Sequence, residues 1–484
     1  MTDLPSILPN LIGGEERPAE SGRSFANVNP HDGSEICQVA RSEAADVSAA
    51  VAAARAAQPG WAATPAVQRG HILHQVMNAL EARADEIAAA VAAEAGKRLK
   101  DSKGEVGGAI LCGRFFAGEG QRLFGRTMPS GTPNKYNMTV RTPCGVAGLI
   151  IAANTPAPNF AWKVFPALIC GNAVVLKSAE DTPVSAWLMA RICEEAGLPK
   201  GVLNVVHGLG AEAGQPLVDH PGVDVLSFTG STAVGRRIAE SCGRQLKKLS
   251  LELGGKNPFV VCDDADLDNA VKWACLSAYS NAGQRCAAGS RFLVFESVYE
   301  AFRDKLVEAT RAQKLGVEED CDLGPVINER QLNNMLGAIE RATGKGAKVL
   351  IGGRRAGDKG CYLEPTVVEG AAPDDEISQT ELFGPVASLY RVRDFAQALA
   401  MANDHPYGLT ACIHTRSLDR ALAFSHGVQA GATVVNAGTY GSEPHMPFGG
   451  PKQSGNGTRE PGTEALDVYS ELKDIYLNVD PAKL

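Results

Sequence analysis

The chain has 484 residues, 44% of them hydrophobic and 21% charged, with a formal net charge of −8. That length exceeds what one compact core accommodates and implies two or more domains. The acidic balance, with no Lys/Arg-rich run, argues against a phosphate-backbone footprint and so against nucleic acid as the main partner. The opening Met1-Thr-Asp-Leu-Pro-Ser shows no basic stretch followed by an apolar run, and no apolar stretch approaches the ~20 residues of a membrane span. A cytoplasmic protein without membrane partners is expected.

In chain order, Ala-rich stretches at 44–57 and 85–97 predict two packed helices, the first stopped by Pro59-Gly60. The segment 126–143 stands apart. From Gly145, apolar runs at 145–153, 173–177, 202–206 and 223–229 alternate with amphipathic stretches near 160–170, 183–196, 210–219 and 231–241. Such alternation predicts a parallel, doubly wound sheet with right-handed crossovers, a nucleotide-binding layout. Gly254-Gly255 marks a restart. Strands at 257–262, 289–295, 386–392, 409–414 and 431–435 then alternate with helices near 266–280, 297–313, 394–402 and 417–427. Within 465–480, Ile475, Leu477 and Val479 alternate with Tyr476 and Asn478, which predicts a strand covered on one face. A strand at the chain end can join a neighbouring sheet, including one in another subunit.

The chemistry concentrates in Gly-rich turns. Cys286 lies in Asn281-Ala-Gly-Gln-Arg-Cys-Ala, and Glu252 lies in Leu251-Glu-Leu-Gly-Gly-Lys. A thiol in one turn and a carboxylate in another suit an enzyme that forms a covalent thioester and hydrolyses it with activated water. The other eleven cysteines show no CxxC pair and no metal-ligand spacing with histidine. They read as reduced, buried thiols, and no metal is expected.

Phe228-Thr-Gly-Ser-Thr-Ala-Val-Gly235 closes a strand and opens a helix whose free N–H groups can face a phosphate. Its spacing is G-x-x-x-x-G, not the common G-x-G-x-x-G. Gly208-Leu-Gly-Ala-Glu-Ala-Gly214 lacks that fingerprint as well and reads as structural on its own residues. Lys177 and Glu180 end the strand Ala173-Val-Val-Leu, where an acidic group can hold a ribose hydroxyl pair or cap the next helix. Asn154, just before Thr155-Pro156, can donate to an oxyanion or serve a turn.

Taken together, these segments resemble the NAD(P)-dependent aldehyde dehydrogenase superfamily over nearly the whole chain. The matching pieces are Asn154 with Trp162-Lys163, Gly171-Asn-Ala-Val-Val-Leu-Lys-Ser-Ala-Glu180, Phe228 to Gly235, and Leu251-Glu-Leu-Gly-Gly-Lys-Asn-Pro258. Gly283-Gln-Arg-Cys286, Glu381-Leu-Phe-Gly-Pro385, Asn436 and Pro447-Phe-Gly-Gly-Pro-Lys-Gln-Ser-Gly455 follow in family order. Each is modest alone, but eight in order are specific.

The resemblance implies an α/β fold with three parts. A Rossmann-type cofactor domain spans 1–125 and 144–253, an α/β catalytic domain spans 254–460, and a small oligomerisation β-extension comprises 126–143 and 461–484. It implies Cys286 as nucleophile, Glu252 as general base and Asn154 as oxyanion donor beside the Cys286 N–H. Lys177 and Glu180 would hold the adenosine ribose, and Gly230, Ser231 and Gly235 the pyrophosphate. Glu381, with Phe383 beside it, would hold the nicotinamide ribose. Gln331 matches a further position there, although the lysine often found three residues on is Asn334. Ile151, Gly210, Gly214, Phe228, Thr229 and Leu253 complete the cofactor wall by the same resemblance. NAD is the expected cofactor because Glu180 would repel a 2′-phosphate, with NADP as a second option. A homodimer or homotetramer is expected.

Two departures stand out. Many members carry Pro-Trp before the asparagine and Phe-Pro after it, whereas here Ala152-Ala153 precede and Thr155-Pro156 follow. The stretch between Asn436 and Phe448 is also one residue longer, placing Tyr440 and His445 in a loop at the substrate entrance. Trp162, Arg285, Tyr440, His445 and Phe448 are the expected tunnel residues. Arg285 would either meet a distant anion on a semialdehyde or turn into a structural ion pair. Members that pass the acyl group to coenzyme A generally lack the Glu252 base, so hydrolysis is expected. The alternatives are a coenzyme-A-acylating enzyme and a non-catalytic binding relative.

Overall fold

The computed structural model describes residues 4–483. Two seven-stranded sheets organise it. In the first, the spatial order is Lys248–Glu252, Val225–Thr229, Val146–Ile150, Ala173–Lys177, Leu203–Val206, Asn10–Ile12 and Glu15–Arg17. The first five strands are parallel and the N-terminal pair is antiparallel. Chain order runs outward from Val146–Ile150 in one direction, then returns to its other side at Val225–Thr229. That reversal is a topological switch point, where a crevice opens at the carboxyl ends of the strands. Asn154 and Gly230 follow these two strands directly.

The second sheet runs Lys348–Ile351, Thr366–Glu369, Val386–Val392, Gly289–Phe295, Asn257–Val261, Thr410–His414 and Ala432–Val435. All its neighbours are parallel except the first pair. Alternating residues fill the cores on its two faces: Phe259, Phe292 and Leu389 on one, Val260, Leu293 and Tyr390 on the other. The loops carrying Gly255, Cys286 and Glu381 all enter its strands from the amino end. The carboxyl edge of one sheet therefore faces the amino edge of the other across the cleft.

Most predicted strands and helices lie within a few residues of those observed, with three differences. Helix Ala44–Ala63 continues through Pro59. Its last turn is held by tertiary packing, because Trp61 is buried and its indole N–H donates to the Leu168 carbonyl at 2.9 Å. The stretch near 210–219 divides into a π-helical turn, Gly210–Gly214, and the short helix Gln215–Asp219. The terminal strand Ser470–Asn478 pairs along its whole length with Lys135–Pro143, yet Leu472, Tyr476, Leu477 and Val479 are exposed rather than covered. Of residues 461–484, Ala465, Leu466, Val468 and Tyr469 pack into the core of the first sheet before that strand leaves it.

Candidate active site

The loop before Gly289–Phe295 is locally strained. Asn281, Ala282 and Gly283 all adopt positive φ (56°, 52° and 69°), which only glycine takes at no steric cost. Such a conformation persists when its surroundings hold it. Asn257 Nδ2 donates to the carbonyls of Cys286 and Ala288, both at 2.8 Å, and Gln284 Oε1 accepts from the Ile327 N–H at 2.8 Å. Cys286 is thereby fixed, half-buried, at the wall of a cavity of about 360 Å³. Burial pushes its thiol up to about 12, and the carboxylates of Glu381 and Glu252 disfavour the thiolate further. The Ala287 N–H and Arg285 act in the opposite direction.

Glu252 ends the edge strand Lys248–Glu252 in the same cavity wall. Both of its carboxylate oxygens are buried without a hydrogen-bond partner among the described residues. Burial raises its pKa well above the usual carboxylate range, and Glu460 adds to this while Lys163 and Arg459 oppose it. Behind it lies a contrasting, fully engaged pair. Lys163 Nζ meets Glu460 Oε2 at 2.7 Å and Ser227 Oγ at 2.6 Å, and Ser227 and Ser250 donate to Glu460 Oε1.

Gly254 and Gly255 allow the close approach of these groups. A Cβ on Gly254 would lie 2.2 Å from the Glu381 carboxylate, and one on Gly255 would lie 2.4 Å from the Cys286 carbonyl. Glu381 accepts the Gly255 N–H at 3.0 Å. Burial pushes its carboxyl up to about 7, against the pull of that N–H and of Lys256.

Asn154 leaves the strand Val146–Ile150 and reaches the nucleophile loop. Its Nδ2 donates to the Gln284 carbonyl at 3.0 Å, while Asn281 Nδ2 donates to both the Asn154 and Gln284 carbonyls at 3.1 Å. Asn281 was not singled out in the sequence. Its left-handed φ and its bridging amide are visible only once the two loops meet.

At the far end of the cavity, Ser231 caps helix Thr232–Arg244, its Oγ accepting from the Val234 N–H. Gly230 packs over the Phe228 ring, where a Cβ would come within 2.4 Å, and Gly235 packs against Leu253. Glu180 accepts the Gly210 N–H at 3.3 Å and lies 3.7 Å from Arg330, a cation contributed from across the cleft.

Twelve of the expected residues line the cavity together: Asn154, Trp162, Thr229, Gly230, Ser231, Glu252, Leu253, Cys286, Gln331, Glu381, Phe383 and Phe448. Ile151, Lys177, Gly214, Phe228 and Gly235 are buried behind its wall, while Glu180 and Gly210 meet beyond its Asp181 and Arg330 rim. Arg285 and Tyr440 lie beside the site, the guanidinium 4.9 Å from the ring centroid. His445 is not brought in, being exposed and lying 3.7 Å from Glu443. Residues missed in the sequence include Asn328, Arg330 and Asp181 at the cavity rim. They sit in polar loop segments that give no spacing signal. No cluster of His, Cys, Asp and Glu suited to a metal occurs among the described residues.

A thiol, a buried carboxylate unpaired among the described residues and an amide donor thus meet in one cavity between the two sheets. The profile of the aldehyde dehydrogenase family matches residues 17–475. The chain belongs to the aldehyde dehydrogenase family. It is 39% identical over 475 residues to the alpha-ketoglutaric semialdehyde dehydrogenase of Bacillus subtilis (strain 168), covering 97% of each chain. A crystal structure of an E. coli NADP dependent enzyme superposes with a TM-score of 0.95 at 37% identity, covering 98% of both chains. Betaine aldehyde dehydrogenase from Staphylococcus aureus, in complex with NAD+, gives a TM-score of 0.96 at 31% identity, covering 98% of this chain and 95% of that one. As an aldehyde dehydrogenase, the chain shares the mixed α/β architecture of these enzymes. No described helix is long and apolar enough to cross a membrane.

Proposed function

We propose that this aldehyde dehydrogenase oxidises an aldehyde to its carboxylic acid with NAD(P), through a thioester on Cys286 that Glu252-activated water hydrolyses. The observation that carries this reading is Glu252, buried in the wall of the Cys286 cavity with neither oxygen hydrogen-bonded to any described residue. A structural carboxylate would be paired there, since burying an unpartnered one is costly.

The cleft fits a dinucleotide. The Thr232 and Ala233 N–H groups begin a helix at Gly230-Ser231 without intrahelical acceptors, and Glu180 and Glu381 stand towards its two ends. When bound, NAD(P) supplies the two-electron acceptor that converts the Cys286 adduct into a thioester.

The chain's own residues perform the remaining steps. Cys286 Sγ loses its proton and bonds to the aldehyde carbon. The oxygen then becomes an oxyanion, held by Asn154 Nδ2 and by the Cys286 N–H, which no described residue engages. After oxidation, Glu252 takes a proton from water, the water oxygen adds to the thioester carbon, and the Cys286 thiolate leaves as the acid forms.

A carboxylate-bearing aldehyde, a semialdehyde, fits the entrance best. Arg285 is held through its Nε by Ser280 Oγ at 3.2 Å and rests over Tyr440, and it forms no ion pair among the described residues. The semialdehyde named for the Bacillus relative supports this reading. We also assign the strand Ser470–Asn478, with its exposed Leu472, Tyr476 and Leu477, to a subunit interface in a cytoplasmic homodimer or homotetramer. We further propose a cofactor domain of 1–125 and 144–253, a catalytic domain of 254–460 and an oligomerisation segment of 126–143 and 461–484, of which Ala465, Leu466, Val468 and Tyr469 pack with the first sheet's core.

The test is product formation by the purified protein with NAD or NADP and a panel of neutral, aromatic and anionic aldehydes, with and without coenzyme A. Reduced cofactor and free acid are expected. An acyl-coenzyme A product would indicate the acylating chemistry, and binding without turnover a non-catalytic relative.

A further inference from the structure

Asn154 lies between Ala152-Ala153 and Thr155-Pro156, in the loop that joins strand Val146–Ile150 to helix Pro156–Ile169. A buried ion pair from elsewhere in the chain holds it. Lys97 follows Gly96, the left-handed residue (φ 64°) that ends helix Ala84–Ala95. Its side chain is 7% exposed and that of Glu105, on helix Leu99–Glu119, is 6% exposed. Lys97 Nζ donates to the Glu105 carboxylate and also to the Asn154 carbonyl, at 2.5 Å. The other Glu105 oxygen accepts the Ala157 N–H at 3.2 Å. The pair therefore grips the chain on both sides of Thr155-Pro156, one residue at a carbonyl and the other at an amide. Asn281 completes the fixation by joining the Asn154 carbonyl to the nucleophile loop.

We propose that Lys97 and Glu105 are positioning residues for the oxyanion-binding amide, setting the place of Asn154 relative to Cys286. The pair touches neither the cavity nor the reacting atoms. Its effect on rate passes through the geometry of one side chain, and a displacement of ~1 Å at such a group can cost ~10²-fold in rate. The assignment rests on the oxyanion role proposed for Asn154.

The experiment is a double-mutant cycle, read with succinic semialdehyde or propanal and NAD, whichever turns over faster. Asn154→Ala is one arm. Lys97→Met combined with Glu105→Gln is the other, because it removes both charges and strands neither in the interior. The neutral pair alone is expected to lower kcat by about 10–100-fold with KM changed less than about threefold. In the Asn154→Ala background it is expected to add less than about twofold, since the group it positions is gone. A full additional fall in that background, or an unchanged kcat in the neutral pair alone, would overturn the assignment while leaving the oxyanion reading in place. An Asn154→Ala enzyme with unaltered kcat would remove the oxyanion reading and the clamp with it. Should the neutral pair not fold, Glu105→Asp keeps the charge but withdraws the carboxylate from Ala157. The same cycle then applies, with the same pattern of non-additivity deciding.

Discussion

The two ends of the cleft treat charge in opposite ways. At the catalytic end, Glu252 is buried with no hydrogen-bond partner among the described residues, beside the half-buried Cys286. At the other end, proposed above to hold the adenosine ribose, Glu180 is half-buried, accepts the Gly210 N–H and lies close to Arg330. Desolvation disfavours the charged form and amplifies every local interaction, whereas solvent and a counter-charge screen it. The cleft thus holds a buried carboxylate with no hydrogen-bond partner among the described residues at its Cys286 end, and a paired, solvent-reached one at its Glu180 end. Substitutions at the catalytic end should therefore change rates by orders of magnitude, and those at the other end by small factors.

The largest effect is expected at Cys286. Replacement by serine keeps the size but removes the thiolate, and kcat should fall by about 10⁴-fold or more. Glu252→Gln comes next, with hydrolysis slowed by about 10²–10⁴-fold, the usual contribution of a positioned base. These two substitutions separate in a second measurement. Glu252 raises the thiol pKa, so Glu252→Gln should speed alkylation of Cys286 by iodoacetamide even as turnover collapses. Slower alkylation would mean that Glu252 assists the thiol more than it repels it. The pH profile follows the same reasoning. Glu252 acts as a base only when ionised, and its raised pKa means that kcat is retained above that value and lost as pH falls through it. In Glu252→Gln that acidic limb should disappear.

The contrast between the two ends also marks what the sequence could reveal. Period and turn residues are local, so the strand Ala173–Lys177 and the loops around Cys286 and Glu252 were readable. The Ala-rich helix Ala44–Ala63 was legible in its body but not at its end, because a distant carbonyl anchors Trp61 beyond the proline. Asn281, Arg330 and the Lys97–Glu105 pair were not legible. Asn281 meets Asn154 127 residues away, Lys97 and Glu105 meet Asn154 and Ala157 57 and 52 residues away, and Arg330 meets Glu180 across the cleft, so nothing in the local pattern marks them. The unpartnered state of Glu252 is likewise a property of packing. It becomes visible only when Gly449 and Gly455 are seen to close over the strand end.

A smaller effect is expected at Arg285, between the two ends. Its guanidinium is oriented by Ser280 and Tyr440 but not neutralised, so a substrate carboxylate can supply the missing partner. Arg285→Ala should raise KM for succinic semialdehyde by about 10-fold, the scale of one hydrogen bond to a charged group. KM for propanal should stay within about twofold. Equal losses for both aldehydes would withdraw the anion reading and leave Arg285 as a support for Tyr440.

The smallest effect is expected at Glu180, where the comparison is most easily broken. Its carboxylate disfavours a 2′-phosphate, but Arg330 stands 3.7 Å away and water reaches both side chains. Two unit charges at that separation in water interact by about 1 kcal/mol, and salt reduces this further. Glu180→Gln should therefore tighten NADP binding only about three- to fivefold while weakening NAD by a similar factor. Arg330→Ala should move NADP in the opposite direction by a comparable amount. Titration of protein fluorescence with each dinucleotide reads these constants without turnover. A hundredfold swing at Glu180 would show that bound dinucleotide makes this end as dry as the Cys286 end, so that charge is unscreened along the whole cleft. Shifts of a few-fold, decreasing with added salt, would place the boundary between the two regimes within the cleft, on the Glu180 side of Glu381.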